Sequence, residues 1–186
     1  MLLKWWRQAS QGDTIEAIYG AIVAQARLPG FYADFGVPDT VEGRFDMIVL
    51  HLFLFLHRLG GQTDEQRRIA QALFDRFCGD LDGNLREMGI GDLTVPRKMQ
   101  QFAEAYYGRS AAYERALAAG DSQAGSLAIA RNIFGQDFPR SGALRLSQYM
   151  FTAAAMLKAI PDDAVGRGKL SFPDLADVTR QVGDST

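Results

Sequence analysis

Apolar residues recur at steps of three and four along most of this chain, the spacing of one face of an α-helix. Ile15, Ile18 and Ile22 begin the pattern. Comparable stripes predict helices over residues 14–27, 42–59, 64–88, 96–119, 122–134 and 140–159. No alternating apolar pattern predicts a sheet. The sequence therefore predicts an all-α protein, folded as a single bundle of about six helices.

The helix predicted over residues 42–59 differs from the others because it is apolar on nearly every face. The run from Met47 to Leu56 contains one polar residue, His51. A helix of this kind belongs either in the middle of a bundle or against a large apolar partner. By contrast, the segment from residue 31 to 40 contains glycine, proline and aspartate and predicts a loop.

The two ends of the chain depart from the helical pattern. Residues 1–12 are predicted to be an N-terminal arm, in which Trp5 and Trp6 stand between cationic residues. This composition is typical of a bilayer interface, so the tryptophans are expected either to contact a membrane surface or to dock on the bundle. Residues 161–186 contain glycines, a proline and a polar finish, which predict a short, partly ordered C-terminal tail.

Charge and cysteine content narrow the class of protein. The chain has 20 Lys+Arg and 22 Asp+Glu, a net charge of -2. It therefore lacks the basic field of a nucleic-acid binder, and we expect no nucleic-acid partner. No apolar stretch reaches the roughly 20 residues that span a bilayer. The single cysteine favours a reducing compartment, so the protein is expected to be cytoplasmic.

Candidate chemistry is sparse. The two histidines, His51 and His57, are six positions apart, which places them about 120° apart around one helix. They cannot bind one metal ion from a regular helix, and no metal site, catalytic site or cofactor is predicted. An enzymatic alternative would require Asp46, His51 or His57 to lie with arginines in one cleft.

One segment carries a resemblance to a known family. The run from Asn84 to Arg109 resembles the signature segment of bacterial members of the ubiquinol-cytochrome c chaperone family. Residues 18–23 with Arg27, residues 43–46 and residues 51–58 are also similar. The resemblance covers roughly residues 13–160, which it identifies as a helical chaperone domain.

This resemblance implies a function that the residue patterns alone do not show. Family members are assembly chaperones, so the chain is expected to bind newly made cytochrome b, or another precursor of the bc1 complex (ubiquinol-cytochrome c reductase). Assembly would be assisted by protein-protein contact, without turnover or cofactor, at the inner membrane as a peripheral protein. A second assembly factor is a further expected partner. The alternative is a helical carrier that encloses a lipid, a quinone or haem.

Five residues of the signature segment fall off its apolar stripe and are candidates for partner contact. They are Asp92, Arg97, Lys98, Tyr107 and Arg109. Alternatively, Asp92 and Thr94 only cap the fourth helix while the cations are solvated.

Overall fold

A computed structural model describes residues 2–61 and 63–183, with side chains described for residues 12–61 and 63–180. All regular structure in this part of the chain is helical. The six predicted helices are present as α1 (Leu2–Ala26), α3 (Val41–Leu59), α4 (Asp64–Glu87), α5 (Val95–Ala119), α6 (Ser122–Ile133) and α7 (Ser141–Ala159). Three short helices accompany them: α2 (Pro29–Ala33), α8 (Asp162–Val165) and α9 (Leu175–Gly183). The all-α prediction is confirmed.

The predicted helix ends agree with the capping residues. Thr63 and Gln66 form the capping box of α4, each side chain bonded to the other's backbone N–H. Gly60 ends α3 with φ 62°, a left-handed conformation that favours glycine. At the other end of α3, the Thr40 hydroxyl accepts a hydrogen bond from the Gly43 N–H at 3.1 Å.

Helix α3 is the central helix of the bundle. One side of it, including Leu50 and Leu54, joins a core formed mainly with α6 and α7. Another side, including Leu52 and Phe55, joins a second core with α1 and α4. Its apolar composition on every face is therefore explained by burial in the middle of the bundle.

Side-chain pairs fix the direction of each helix. Successive residues of α3 contact successive residues of α5 and of α7, so these three helices run parallel to one another. Glu16–Arg76 and Tyr19–Asp80 advance together along α1 and α4, so these two helices run parallel to each other. Helix α4 runs against α3, because Phe77 lies beside Phe45 near the start of α3 while Ile69 borders the same cleft as Leu59 near its end. The pairs that set these directions are Asp46–Arg109, His57–Glu114, His51–Tyr149, Arg58–Leu157, Glu16–Arg76 and Phe74–Tyr107.

Helix α6 also runs against α7, because the Ser147 hydroxyl donates to the Ser122 carbonyl while Phe134 lies beside Gly142. Three connections therefore lie at the same end of the bundle: residues 27–40, 88–94 and 134–140. At the opposite end, Arg58 donates to the Leu157 carbonyl at 2.7 Å and holds the last turn of α7.

One segment differs from the sequence prediction, and the structure adds detail at both ends of the chain. The predicted loop at residues 31–40 begins within α2, and its Phe31 and Phe35 are buried. Burial of the two aromatic rings stabilises this segment more than its glycine and proline disfavour a helix. Helix α1 starts at residue 2, so the predicted arm continues into the first helix. Within the predicted C-terminal tail, Phe172 packs beside His51 and Val178 is buried.

Candidate partner-binding surface

The five residues predicted as partner contacts lie on the hairpin of α4 and α5. Asp92 is in the connecting loop, Arg97 and Lys98 are in the first turns of α5, and Tyr107 and Arg109 are near its middle. The first four are exposed, whereas Arg109 is partly buried. The structure thus groups Asp92, Arg97 and Lys98 at the hairpin tip and separates Arg109 from them.

An ion pair shapes the hairpin tip. Arg86, in the last turn of α4, pairs with Asp92 across the loop and with Asp82 at 2.6 Å. Thr94 is the residue before α5, but its side chain makes no capping hydrogen bond. Asp92 and Thr94 therefore do not cap α5 as the alternative predicted, because the Asp92 carboxylate pairs with Arg86 of α4 instead.

Exposed apolar side chains lie between these charges. Leu93 is 98% exposed and Met88 is 64% exposed. The helix predicted over residues 64–88 ends at Glu87, which leaves Met88 outside the buried stripe. Neither residue was predicted from the sequence to lie on the surface. The available signal was their position beside Gly89 and Gly91, where no helix face can bury them.

Tyr107 forms an aromatic surface feature on α5. Its side chain is 63% exposed, and its ring lies 6.3 Å from Phe74 and 5.5 Å from Tyr106, measured between ring centroids. The ring is thus supported on one side and open on the other. Exposed aromatic residues held in this way are common anchors at protein interfaces.

Arg109 instead belongs to an internal ion pair. Its guanidinium lies 2.8 Å from the Asp46 carboxylate of α3, and the two side chains are only 21% and 9% exposed. The same guanidinium approaches the Asn132 carbonyl of α6 at 3.5 Å. Burial raises the pKa of Asp46 to about 6, while Arg109 acts to lower it and Glu42 to raise it. Arg109 therefore joins three helices.

A second buried polar group surrounds His51. The His51 Nδ1 lies 2.7 Å from the Met47 carbonyl, which can only accept, so Nδ1 carries the proton. The Tyr149 hydroxyl then donates to Nε2 at 2.8 Å and accepts from the Gln25 amide at 3.1 Å. Burial lowers the pKa of His51 to about 4. The ring is neutral and its hydrogen bonds are satisfied, as expected of a core histidine.

The residues that an enzymatic site would require have separate partners. Asp46 pairs with Arg109 and His51 bonds with Tyr149, while the His57 Nδ1 lies 2.6 Å from Glu114. Among the described residues, no group of three or more His, Cys, Asp or Glu side chains could hold a metal ion. These groups therefore form internal contacts rather than one convergent cleft.

Two surface clefts bear on the carrier alternative. One has a volume of about 490 Å³ and is bordered by Arg27, Tyr32, Asp39 and Arg44. The other, of about 520 Å³, lies between the start of α4 and α8 and includes several acidic residues. Sites for hydrophobic ligands are lined mainly by apolar side chains. Both clefts mix charged and apolar side chains, which fits an enclosed lipid, quinone or haem less well than a mainly apolar lining would.

Contact with a membrane stays a prediction. No helix among the described residues is long and apolar enough to cross a bilayer. Trp5 and Trp6, the predicted membrane-contact residues, belong to α1, but their side chains lie outside the described residues.

Together, the two packed cores and the exposed hairpin tip define a helical-bundle protein that presents charged and apolar side chains on the α4–α5 hairpin. Comparison with known families then identifies it further. The profile of the ubiquinol-cytochrome C chaperone family matches residues 33–172. The chain therefore belongs to this family, and the resemblance of the signature segment is confirmed.

Two known proteins are similar to this chain. The crystal structure of the Cbp3 homolog from Brucella abortus has a TM-score of 0.85 and 40% sequence identity, covering 95% of this chain and 98% of that one. The ubiquinol-cytochrome c reductase complex assembly factor 1 of Drosophila melanogaster is 23% identical over 156 residues. This chain spans 60% of the length of that relative, and 81% of this chain is matched.

Proposed function

We propose that this protein is a chaperone for assembly of the bc1 complex and that its client is newly made cytochrome b. The observation that carries the proposal is the family match over residues 33–172, most of the helical bundle. The geometry supports it, because Asp46 and His51 have partners inside the bundle while the hairpin tip remains open to solvent. The mechanism is transient protein-protein contact at the membrane surface, with a second assembly factor as a further partner.

The tip residues Asp92, Arg97 and Lys98, with Tyr107, supply the client contacts in this proposal. Arg97 and Lys98 are exposed and placed beside Leu93, so they add charge at the edge of an apolar contact. Charges at such edges mainly govern the association rate and the choice of partner. Arg109 stabilises the hairpin from inside through Asp46.

The test is to tag the protein in its own host, solubilise the membranes mildly and quantify what copurifies. We expect cytochrome b to be enriched over membrane proteins of similar abundance. Arg97→Glu with Lys98→Glu should reduce that enrichment. The matched control is Arg68→Glu with Arg115→Glu, a double reversal of exposed arginines at the other end of the same two helices. If neither variant reduced the recovery of cytochrome b, the hairpin tip would be rejected as the contact surface. If cytochrome b did not copurify even with the unmodified protein, the proposed function would be rejected.

A further inference from the structure

Exposed apolar side chains are concentrated at one end of the bundle. We call this region the three-loop end: residues 27–44, 86–98 and 131–145, which contain the three connections and the adjoining helix turns. Among the described side chains, eight large hydrophobic residues are exposed, and six of them belong to this end. The six are Leu28, Val41, Met88, Leu93, Phe138 and Leu144.

The exposed residues come from all three connections rather than from one loop. Leu93 is 98% exposed in the second connection and Phe138 is 69% exposed in the third. Val41, 66% exposed, begins α3 after the first. Single exposed apolar residues are ordinary, but several at one end of a domain mark an interaction surface.

The charges of the three-loop end favour a protein over an anionic membrane. It carries eight cations and six acids, a net charge of only +2. Anionic membranes are recognised by clusters of cations with few acids between them. The exposed residues of this end also include Met88 and Phe138, and methionine and aromatic residues are enriched at protein interfaces.

Ion pairs also reduce the unpaired negative charge of this surface. Asp39 is held by Arg44 at 2.6 Å, and Asp92 is held by Arg86. Because two of the six acids are paired with arginines, an apolar segment of the partner would contact fewer unpaired carboxylates here. Leu93 stands directly beside one of these pairs.

We propose that the three-loop end as a whole, and not the α4–α5 tip alone, is the surface on which the client docks. Leu93, Met88 and Phe138 are the anchors, and they take apolar segments of the client that are exposed before assembly. The surrounding arginines bond to client carboxylates and carbonyl oxygens at the edge. This inference rests on the proposed function, because it takes the client to be cytochrome b.

The test is site-specific photocrosslinking in the full chain. Benzoylphenylalanine is placed at Leu93, at Phe138 or, as a control, at Met156, which is exposed on α7 near the opposite end. We expect adducts with cytochrome b from the first two positions and none from Met156. Adducts from Met156 only, in cells where cytochrome b copurifies, would overturn the docking surface and leave the function standing. Lipid adducts or adducts with a second copy of this chain at Leu93 and Phe138 would also overturn it.

Substitutions give a second readout. Leu93→Ser with Phe138→Ser should reduce the recovery of cytochrome b about fivefold or more, since buried anchors dominate interface energy. Met156→Ser should leave recovery unchanged. All of these side chains are exposed, so thermal unfolding should not change, which separates lost docking from lost folding. Unchanged recovery in the double variant would refute the anchors. If cytochrome b does not copurify with the unmodified protein, the proposed function fails first.

Discussion

Replacing Arg109 by methionine tests whether this residue belongs to the fold or to the partner surface. The change removes the charge opposite Asp46 while keeping an apolar stem of similar length. Breaking a buried ion pair costs about 3–5 kcal/mol, because the remaining charge is left without a partner. Arg109 is 21% exposed, which admits some water, so we expect a loss of about 2–3 kcal/mol at pH 7.

The loss should depend on pH in a direction that the Asp46 carboxyl determines. Its pKa is raised to about 6 in the folded protein, so it is mostly protonated at pH 5. A neutral carboxyl has little attraction to lose when Arg109 is removed. Because the folded state favours the protonated carboxyl, Asp46 stabilises the protein most below its unfolded pKa. This contribution is lost as pH rises through 6. We therefore expect Arg109→Met to cost only about 1 kcal/mol at pH 5.

The assay is urea unfolding followed by helical circular dichroism at both pH values. For a slope of about 2 kcal/mol per molar urea, the pH 7 loss corresponds to a midpoint about 1 M lower. Arg97→Met is the matched control, and its exposed position predicts a change within about 0.5 kcal/mol. Equal losses at pH 7 and pH 5, or a loss no larger than that of the control, would refute the internal role of Arg109.

Three other predictions concern the polar core and the packing of the helices. Tyr149→Phe should cost about 1–3 kcal/mol of unfolding free energy, because it leaves the buried His51 Nε2 without a donor. Since burial lowers the pKa of His51 to about 4, the contribution of His51 to stability falls as pH drops from 6.5 towards 4, while that of Asp46 rises. Over this window the unmodified protein should therefore lose more stability, or gain less, than His51→Gln, as urea midpoints would show. Gly43→Ala should lower the melting temperature, because a Cβ would overlap the Pro38 carbonyl oxygen. Gly83 in α4 has open space around it, so Gly83→Ala should stabilise the protein by about 0.5–1 kcal/mol. A higher melting temperature for Gly43→Ala than for Gly83→Ala would contradict this packing.

The sequence was sufficient for the helices because their signals are local. Periodic apolar residues, the Thr63–Gln66 capping box and the glycine at the end of α3 all act within a few residues. The central place of α3 followed from its apolar residues on every face. The short helix α2 was missed because its glycine and proline signal a loop, while the burial of Phe31 depends on helices far along the chain.

The internal polar pairs could not be predicted from local patterns. Gln25 and Tyr149 are 124 positions apart, and their hydrogen bond exists only after α1 and α7 pack on α3. In the same way, Arg109 lies off the apolar stripe of its helix, which made it a candidate for partner contact. The structure explains the position by a carboxylate on α3, a partner that helical spacing on α5 alone could not indicate.

The arrangement of connections explains how the bundle can offer apolar surface without weakening its own core. At the end opposite the three-loop end, α3 joins α4 through residues 60–63, and α5 joins α6 through residues 120–121. The connections of the three-loop end are longer, at residues 27–40, 88–94 and 134–140. Longer connections tolerate exposed apolar residues, because few backbone bonds of the helices depend on them. The proposed client contact uses the exposed side chains of these connections, whereas Phe31 and Phe35 of the first connection stay buried in the core around α3.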